Sequence, residues 1–310
     1  MDIFDNKSAS PMLIGESGEP FDSPDYIYEL KLDGERCLAY LDKTGTTLQN
    51  KRKLLLNTRF PELSEIHKCV KTRCILDGEL TVIMDGKPNF EEVKRRSILS
   101  NKFKIELALG KYPACFTAFD ILYYTDGPVI DKPLLERKTL LQKAIKSENE
   151  RIATTRYIEG QGVALYNAAA EQGLEGVVAK RNDSLYSMGN RTKDWIKFKN
   201  LADDDFVILG YIEKDNSVVS LVLGQYQNSK IVYKGHVTLG VSREDFKIIS
   251  SQKTAKPPLE PPKGNENAVW LKPDLVCTVK YMELTSNGGL RQPVYKGLRD
   301  DKLPKDCIVK

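Results

Sequence analysis

Tyr26–Arg36 reads YIYELKLDGER. Alternation along it sets Ile27, Glu29, Lys31 and Asp33 on one face and Tyr28, Leu30 and Leu32 on the other, as in a strand. Lys31 thereby stands between two acidic neighbours. Asp33-Gly34 leads into a second apolar run, Cys37–Leu41, and an Asp-Gly pair between alternating runs is a strong hairpin signal. The same dipeptide recurs at Asp77-Gly78, Asp85-Gly86 and Asp126-Gly127. Taken alone, the stretch reads as a hairpin with a charged face. A sharper reading makes Lys31 a nucleophile. A free lysine, with a pKa near ~10.4, is almost wholly protonated at neutral pH, so that role needs surroundings that remove the proton.

The rest of the chain bounds the choice. Its 310 residues suffice for two domains with separate cores. Hydrophobic residues make up 41% and charged residues 29%, an ordinary globular balance. A net charge of +4 permits a nucleic-acid partner without requiring one. The six cysteines form no C-x-x-C pair, and two histidines leave little material for a Ser-His-Asp triad or a zinc cluster. Buried free thiols suit a reducing compartment, and no apolar stretch approaches a membrane span, so a cytoplasmic protein without a membrane partner is expected.

Further motifs follow in order. Leu48–Leu56 (LQNKRKLLL) is a strand and turn carrying Arg52, and Phe60-Pro61-Glu62-Leu63 opens a helix. Cys74–Leu80 (CILDGEL) is a strand with Asp77 and Glu79 on one side, followed by a separate segment, Thr81–Met84. From Phe90 to Leu109 the pattern predicts one basic helix. Ala114–Tyr123 predicts a buried strand containing Phe119. Pro133–Ser147 and Gln161–Gln172 predict amphipathic packing helices without a functional role. After Glu175–Lys180 (EGVVAK), GNRTKDWIKFK carries Arg191 and places Lys197 and Lys199 on one strand face. Two lysines pointing together repel, and an anion such as phosphate would relieve them. Leu201–Asp205 (LADDD) reads as an acidic hinge. Beyond it, five or so short strands and one helix suggest a small OB-type barrel.

KLDGER, Arg52, ILDGEL, AFDIL, EGVVAK, WIKFK and RDDK (Arg299–Lys302) occur in this order from Lys31 to Lys302. The set resembles the covalent nucleotidyltransferases, and most of all the ATP-dependent DNA ligases. Within these it is similar to the ligase module of bacterial end-joining enzymes, whose tail pattern Thr285–Lys302 approaches. Any one motif is weak, but seven in order are specific. The resemblance implies an α+β fold: a nucleotidyltransferase (adenylation) domain, ATP-grasp-like, with antiparallel sheets and flanking helices over 1–200, then an OB-fold β-barrel over 201–310. It implies that Lys31 attacks ATP to form a lysyl-AMP, which passes to the 5′-phosphate of a nick before the 3′-hydroxyl seals it. Glu29 would contact adenine, Arg36 and Glu79 the ribose side, and Phe119 would stack on the base. Arg52, Arg191, Lys197 and Lys199 would hold phosphates. Glu175, with Glu79, would bind Mg²⁺ (or Mn²⁺), and Arg299 and Lys302 would orient pyrophosphate.

The same resemblance implies nicked duplex DNA as partner, in repair or replication, by a monomer, and leaves room for a DNA-end-binding or recruiting protein. Thirty residues precede Lys31, too few for the large helical DNA-binding domain of many cellular ligases, so weak DNA binding by this chain alone is expected. Two rivals stand beside this reading. An RNA ligase or capping guanylyltransferase shares the lysine, and a non-catalytic OB-fold nucleic-acid-binding protein could carry a degenerate first half.

Overall fold

The runs on either side of Asp33-Gly34 are strands, Tyr26–Leu30 and Glu35–Asp42, yet they belong to different sheets. The computed structural model describes residues 2–214 and 218–309, and its contacts separate two units, Met1–Asn200 and Leu201–Lys310. In chain order the first unit holds β1 (Leu13–Ser17), β2 (Tyr26–Leu30), β3 (Glu35–Asp42), β4 (Gly45–Asn50), β5 (Cys74–Met84) and β6 (Lys87–Pro88). Next come α1 (Phe90–Ser97), α2 (Lys102–Lys111), β7 (Ala114–Tyr124), β8 (Gly127–Pro128), α3 (Leu134–Ala144), β9 (Ile152–Thr154) and β10 (Tyr157–Glu159). The unit ends with α4 (Gly162–Glu171), β11 (Gly176–Arg181) and β12 (Arg191–Lys199).

These strands form a five-stranded sheet, β1-β12-β11-β2-β10, and a seven-stranded one, β4-β3-β5-β7-β8, with β6 on β5 and β9 on β7. Asp33-Gly34 is therefore a crossing between sheets, not a hairpin turn. The reason is steric: a Cβ on Gly34 would lie 2.0 Å from the carbonyl oxygen of Leu80, so only bare backbone can pass so close to β5. Asp77-Gly78 is no turn either. It lies inside β5, which is one 11-residue strand where the sequence predicted two segments. Asp85-Gly86 does close a short hairpin, β5–β6, whereas the β7–β8 hairpin turns at Thr125-Asp126, with Gly127 already paired in β8. At the first of these, φ is 51° for Asp85 and 78° for Gly86, the left-handed pair that a two-residue hairpin loop requires.

The helices also depart from the predicted pattern. The basic segment from Phe90 is two helices, because Asn101 restarts the chain as an N-cap, accepting from the backbone N–H of Lys104 at 3.1 Å. The expected helix at Phe60–Leu63 is only a 3₁₀ turn, Pro61–Leu63. β1 was not anticipated; it joins β12 in parallel at the edge of the smaller sheet.

The two sheets face one another. Between them pack Leu38, Tyr40, Ile75, Phe119 and Leu122 from the larger sheet against Val178 and Trp195 from the smaller. The opposite face of the larger sheet buries Ala39, Leu76, Phe116 and Ile121, with Leu141 of α3 and Val93 of α1 in the same cluster. Tyr28, Val177 and Phe198, on the other face of the smaller sheet, pack with Ala169 of α4. Burial of each such side chain contributes about 1.5–3 kcal/mol, which is what fixes the walls of the space between the sheets.

In the second unit the strands are β13 (Ala202–Lys214), β14 (Val218–Gln227), β15 (Lys230–Val237), β16 (Val269–Trp270), β17 (Val276–Tyr281) and β18 (Val294–Arg299), with α5 (Arg243–Ser250) after β15. Their order is β15-β14-β13-β17-β18, with β16 on β13. Just past β15, the Leu239 carbonyl accepts from the N–H of Tyr295 in β18 at 2.8 Å, closing the ring in the order of an OB barrel. Two expectations are corrected here. Ala202–Asp205 is not a free hinge but the start of β13, paired with Tyr281 back to Thr278, which leaves Asn200–Leu201 as the junction after β12. Val294–Arg299, read as part of a tail, is the closing strand of the barrel. The six cysteines are free thiols. Among the described residues no helix is long and apolar enough to cross a membrane.

Candidate active site

Lys31 lies just beyond the end of β2, where its backbone N–H donates to the carbonyl of Gly176 at 2.9 Å. The alternation in the sequence placed it between Glu29 and Asp33. The structure gives it a different partner: Nζ donates to Oε2 of Glu175 at 2.8 Å. Lys199 reaches the other oxygen of Glu175 at 3.6 Å. β11 and β12 bring this about by their antiparallel register, Gly176 opposite Lys199 and Val178 opposite Lys197. Burial lowers the pKa of Lys197, and the charges of Lys31 and Arg191 lower it further, against Glu175. Lys199 is lowered by burial too, with Glu175 opposing. Arg191, exposed at the start of β12, donates to the carbonyl of Ile14 at 2.8 Å. The anion inferred between the lysines is thus partly supplied by Glu175. One carboxylate against four neighbouring cations leaves an excess of positive charge, which suits a polyphosphate.

Beside this cluster a pocket opens between the sheets, lined by Ile14, Glu29, Leu30, Lys31, Leu32, Arg36, Glu79, Phe119, Thr155, Val178, Lys180 and Trp195. Its buried end is an ionic network. Glu29 accepts from Lys138 of α3, from Lys180 of β11, and from the hydroxyl of Thr155 at 2.7 Å. Burial opposes ionisation of Glu29, but Lys138 and Lys180 bring its carboxyl down to about 2. Burial likewise pushes Lys180 down to about 8, against the attraction of Glu29.

Arg36 is less available than the resemblance implied. It forms a two-pronged pair with Asp77, Nε and Nη2 each 2.6 Å from a carboxylate oxygen, and Tyr186 donates its hydroxyl to the same carboxylate. The Arg36 guanidinium lies 4.4 Å from the centre of the Phe119 ring, and Lys180 Nζ lies 4.4 Å from the same ring. Phe119 lines the pocket with these two cations against its ring. Glu79 is half-buried opposite Arg36 in the β3–β5 register. Burial drives its carboxyl up to about 8, assisted by Glu175 and Asp77 and opposed by Arg36 and Lys31.

The other expected residues lie elsewhere. Arg52 is exposed on the turn after β4 and does not line the pocket. Arg299 and Lys302 belong to the second unit, where both pair with Asp205, at 3.4 and 2.6 Å. Arg299 also grips Asp301 with two bonds. Lys138, Thr155, Lys180, Trp195 and Asp77 were not assigned to the site from the sequence. Lys180 had a signal, since it ends EGVVAK. Lys138 had none, because a buried cation on a helix rich in Lys and Arg looks like a solvated one. The buried indole Nε1–H of Trp195 has no acceptor among the described residues.

Comparison with known proteins agrees with this geometry. Residues 11–199 match the family described as the ATP dependent DNA ligase domain, and residues 214–302 match the ATP dependent DNA ligase C terminal region. The chain is 28% identical over 291 residues to the SPbeta prophage-derived DNA ligase-like protein LigB of Bacillus subtilis (strain 168), covering 94% of this chain and 98% of that protein. It is 31% identical to the DNA ligase of Thermococcus fumicolans, covering 90% of this chain and only 53% of the relative, so it spans about half that enzyme's length. Its fold superposes on a mycobacterial DNA ligase D complexed with ATP and MES, with a TM-score of 0.56, 26% identity and 99% of both chains covered. With a lysine held at a cationic cluster beside a pocket between the sheets, and both halves of the chain matched in order, this protein belongs to the ATP-dependent DNA ligases.

Proposed function

We propose that the chain seals nicks in duplex DNA through a covalent AMP on Lys31, with the adenylation chemistry in residues 1–200 and the OB barrel, 201–310, serving DNA and pyrophosphate. The observation that carries the reading is the Lys31–Glu175–Lys199 arrangement beside the pocket. ATP would place its base between the sheets and its phosphates toward Lys197, Lys199 and Arg191. Lys31 Nζ attacks the α-phosphorus; a P–N bond forms, the bond to pyrophosphate breaks, and Glu175, 2.8 Å from Nζ, takes the proton. An oxygen of the 5′-phosphate at a nick then displaces Lys31 from the AMP phosphorus. Finally the 3′-hydroxyl attacks that 5′-phosphate, a phosphodiester forms and AMP leaves. Positioning and charge neutralisation provide most of the acceleration.

Glu175 and Glu79 suit a hard divalent cation, because the charge of Glu175 raises the Glu79 carboxyl and both present oxygen. They would hold Mg²⁺, or Mn²⁺, whose charge screens the phosphates. Among the described residues no cluster of three or more metal-ligating side chains forms, so phosphate and water oxygens would complete the shell. Arg299 and Lys302 would exchange Asp205 for the β- and γ-phosphates. The DNA substrate places the chain in repair or replication, with an end-joining setting favoured by the likeness to ligase D proteins.

The test is incubation with ATP labelled at the α-phosphate, then with nicked duplex. The wild type should form an acid-labile protein–AMP adduct and seal the nick. Lys31→Ala and Lys31→Arg should form none, since arginine keeps its proton and cannot attack. Labelling of either variant at the same site would refute the assignment.

A further inference from the structure

α3 carries two consecutive buried cations, Arg137 and Lys138, on a helix whose sequence suggested only packing. Arg137 is accounted for by structure: it pairs with Asp120 through two bonds and donates to the carbonyls of Lys132 and Ser184. Lys138 is placed differently. Its ammonium has three protons, and all three are used: on Glu29 of β2, on the carbonyl of Phe119 in β7 at 2.7 Å, and on Thr155 Oγ1 at 3.3 Å. β2 belongs to the smaller sheet and β7 to the larger. One buried charge therefore ties the acidic group of the pocket to the aromatic wall across from it.

We propose that Lys138 is a positioning residue for nucleotide selectivity: by fixing Glu29 relative to Phe119, it makes the pocket accept adenine and reject guanine. The inference rests on the ligase reading. A carboxylate has about four acceptor positions, and Glu29 spends three, on Lys138, Thr155 and Lys180. The one left accepts a single N–H, which the exocyclic amino group of adenine provides. Guanine presents a carbonyl oxygen there, facing a carboxylate that stays ionised. Guanine also carries an N–H and an amino group on its neighbouring edge, and a carboxylate free to shift by an ångström or so could follow them. Discrimination therefore depends on Glu29 being unable to move. Lys138 and Thr155 hold it from behind, while Lys180, over both Phe119 and Trp195, sets the other side.

Self-labelling with ATP or GTP, each carrying the label at the α-phosphate, is followed over a range of nucleotide concentrations. The variants are Lys138→Met, Lys138→Arg and Thr155→Val, and each is checked for folding by its melting curve. Lys138→Met should raise the KM for ATP more than it lowers the maximal rate, and should narrow the ATP-over-GTP preference by about tenfold, the factor expected when one oriented charged hydrogen bond is loosened. Lys138→Arg should recover part of that preference. Thr155→Val, which removes the hydroxyl's bonds to Glu29 and from Lys138 and leaves the charges intact, should narrow it by about threefold, and it carries the test alone if Lys138→Met does not fold. An unchanged ATP-over-GTP ratio in Thr155→Val and in any folded Lys138 variant overturns the proposal. A wild type that forms no adduct with either nucleotide overturns the ligase reading and this inference together, whereas ATP labelling with an unmoved ratio removes this one alone.

Discussion

Two ionic clusters in this protein have similar membership and opposite character. Glu29 with Lys138 and Lys180 is buried at the inner end of the pocket in the first unit. Asp205 with Lys302 and Arg299 lies on the barrel, with both cations about a third exposed. In each, one carboxylate serves two cations. For Asp205, burial works to raise the pKa, but the bonds from Lys302 and Thr278 hold it below the usual carboxylate range. The difference is what surrounds them. A buried pair that loses a partner leaves an uncompensated charge, so its members are fixed. Asp205 is itself buried, but Lys302 and Arg299 keep about a third of their surface in water, so the cations are cheaper to exchange, because water replaces whatever leaves. The first arrangement suits reading a base, the second suits cations that must leave one anion for another.

Breaking the buried cluster should have the largest effect. Lys180→Met leaves Glu29 with one cation, and Glu29→Gln leaves two cations without an anion; either should cost about 3–5 kcal/mol in urea unfolding. A loss under about 1 kcal/mol would show the buried cluster to be as exchangeable as the exposed one.

Acid offers a second way in. The carboxyl of Glu29 is depressed from 4.5 to about 2 in the folded chain, so the stability it supplies is complete above about pH 4.5 and disappears as the pH falls through 2. Up to about 3 kcal/mol should be lost across that window, and denaturant titrations at successive pH values should show less of this loss in Glu29→Gln.

On the barrel the expectation reverses. Arg299→Ala and Lys302→Ala should leave stability little changed, yet slow self-adenylylation by about a hundredfold, as removal of a charge-stabilising donor does. Sealing of a nick that already carries 5′-AMP should be largely spared, because pyrophosphate has gone by then. Lys197→Ala should impair both steps. Equal losses in both half-reactions for the barrel variants would deny them a role confined to pyrophosphate.

The smallest effect concerns DNA. Nick binding should be weak and fall by about tenfold or more between 50 and 200 mM salt, through counterion release at the phosphate contacts. Indifference to salt in a filter-binding or anisotropy titration would mean that apolar contacts dominate.

Much of this was legible in the sequence, for identifiable reasons. Strands such as β7 and β12 announce themselves by period and composition, and Lys31, Glu175 and Lys199 sit in motifs that name them. Contacts between distant segments were not legible. Asp33-Gly34 has the composition of a hairpin, and only the nearness of Leu80 shows why glycine is needed there. Lys138 reaches Glu29 across 109 positions, and no local pattern distinguishes a lysine that turns inward from one that faces water. Arg36 was expected at the ribose; its two-pronged pairing with Asp77 joins residues 41 positions apart on neighbouring strands, which no local pattern displays. The closing strand of the barrel was missed because Thr285–Lys302 was taken whole as a tail pattern.

The crossing at Gly34 also has a mechanical side. Only Lys31, Leu32, Asp33 and Gly34 join β2 to β3, a tether that spans at most about 14 Å when pulled straight. Lys31 is the first link of that tether, which is anchored at one end to Gly176 and at the other pressed against Leu80. Any ligand that wedges the sheets apart draws on a line with almost no slack, and Lys31 moves with it. Lengthening the tether by two glycines after Asp33 should uncouple the Lys31 nitrogen from the width of the gap.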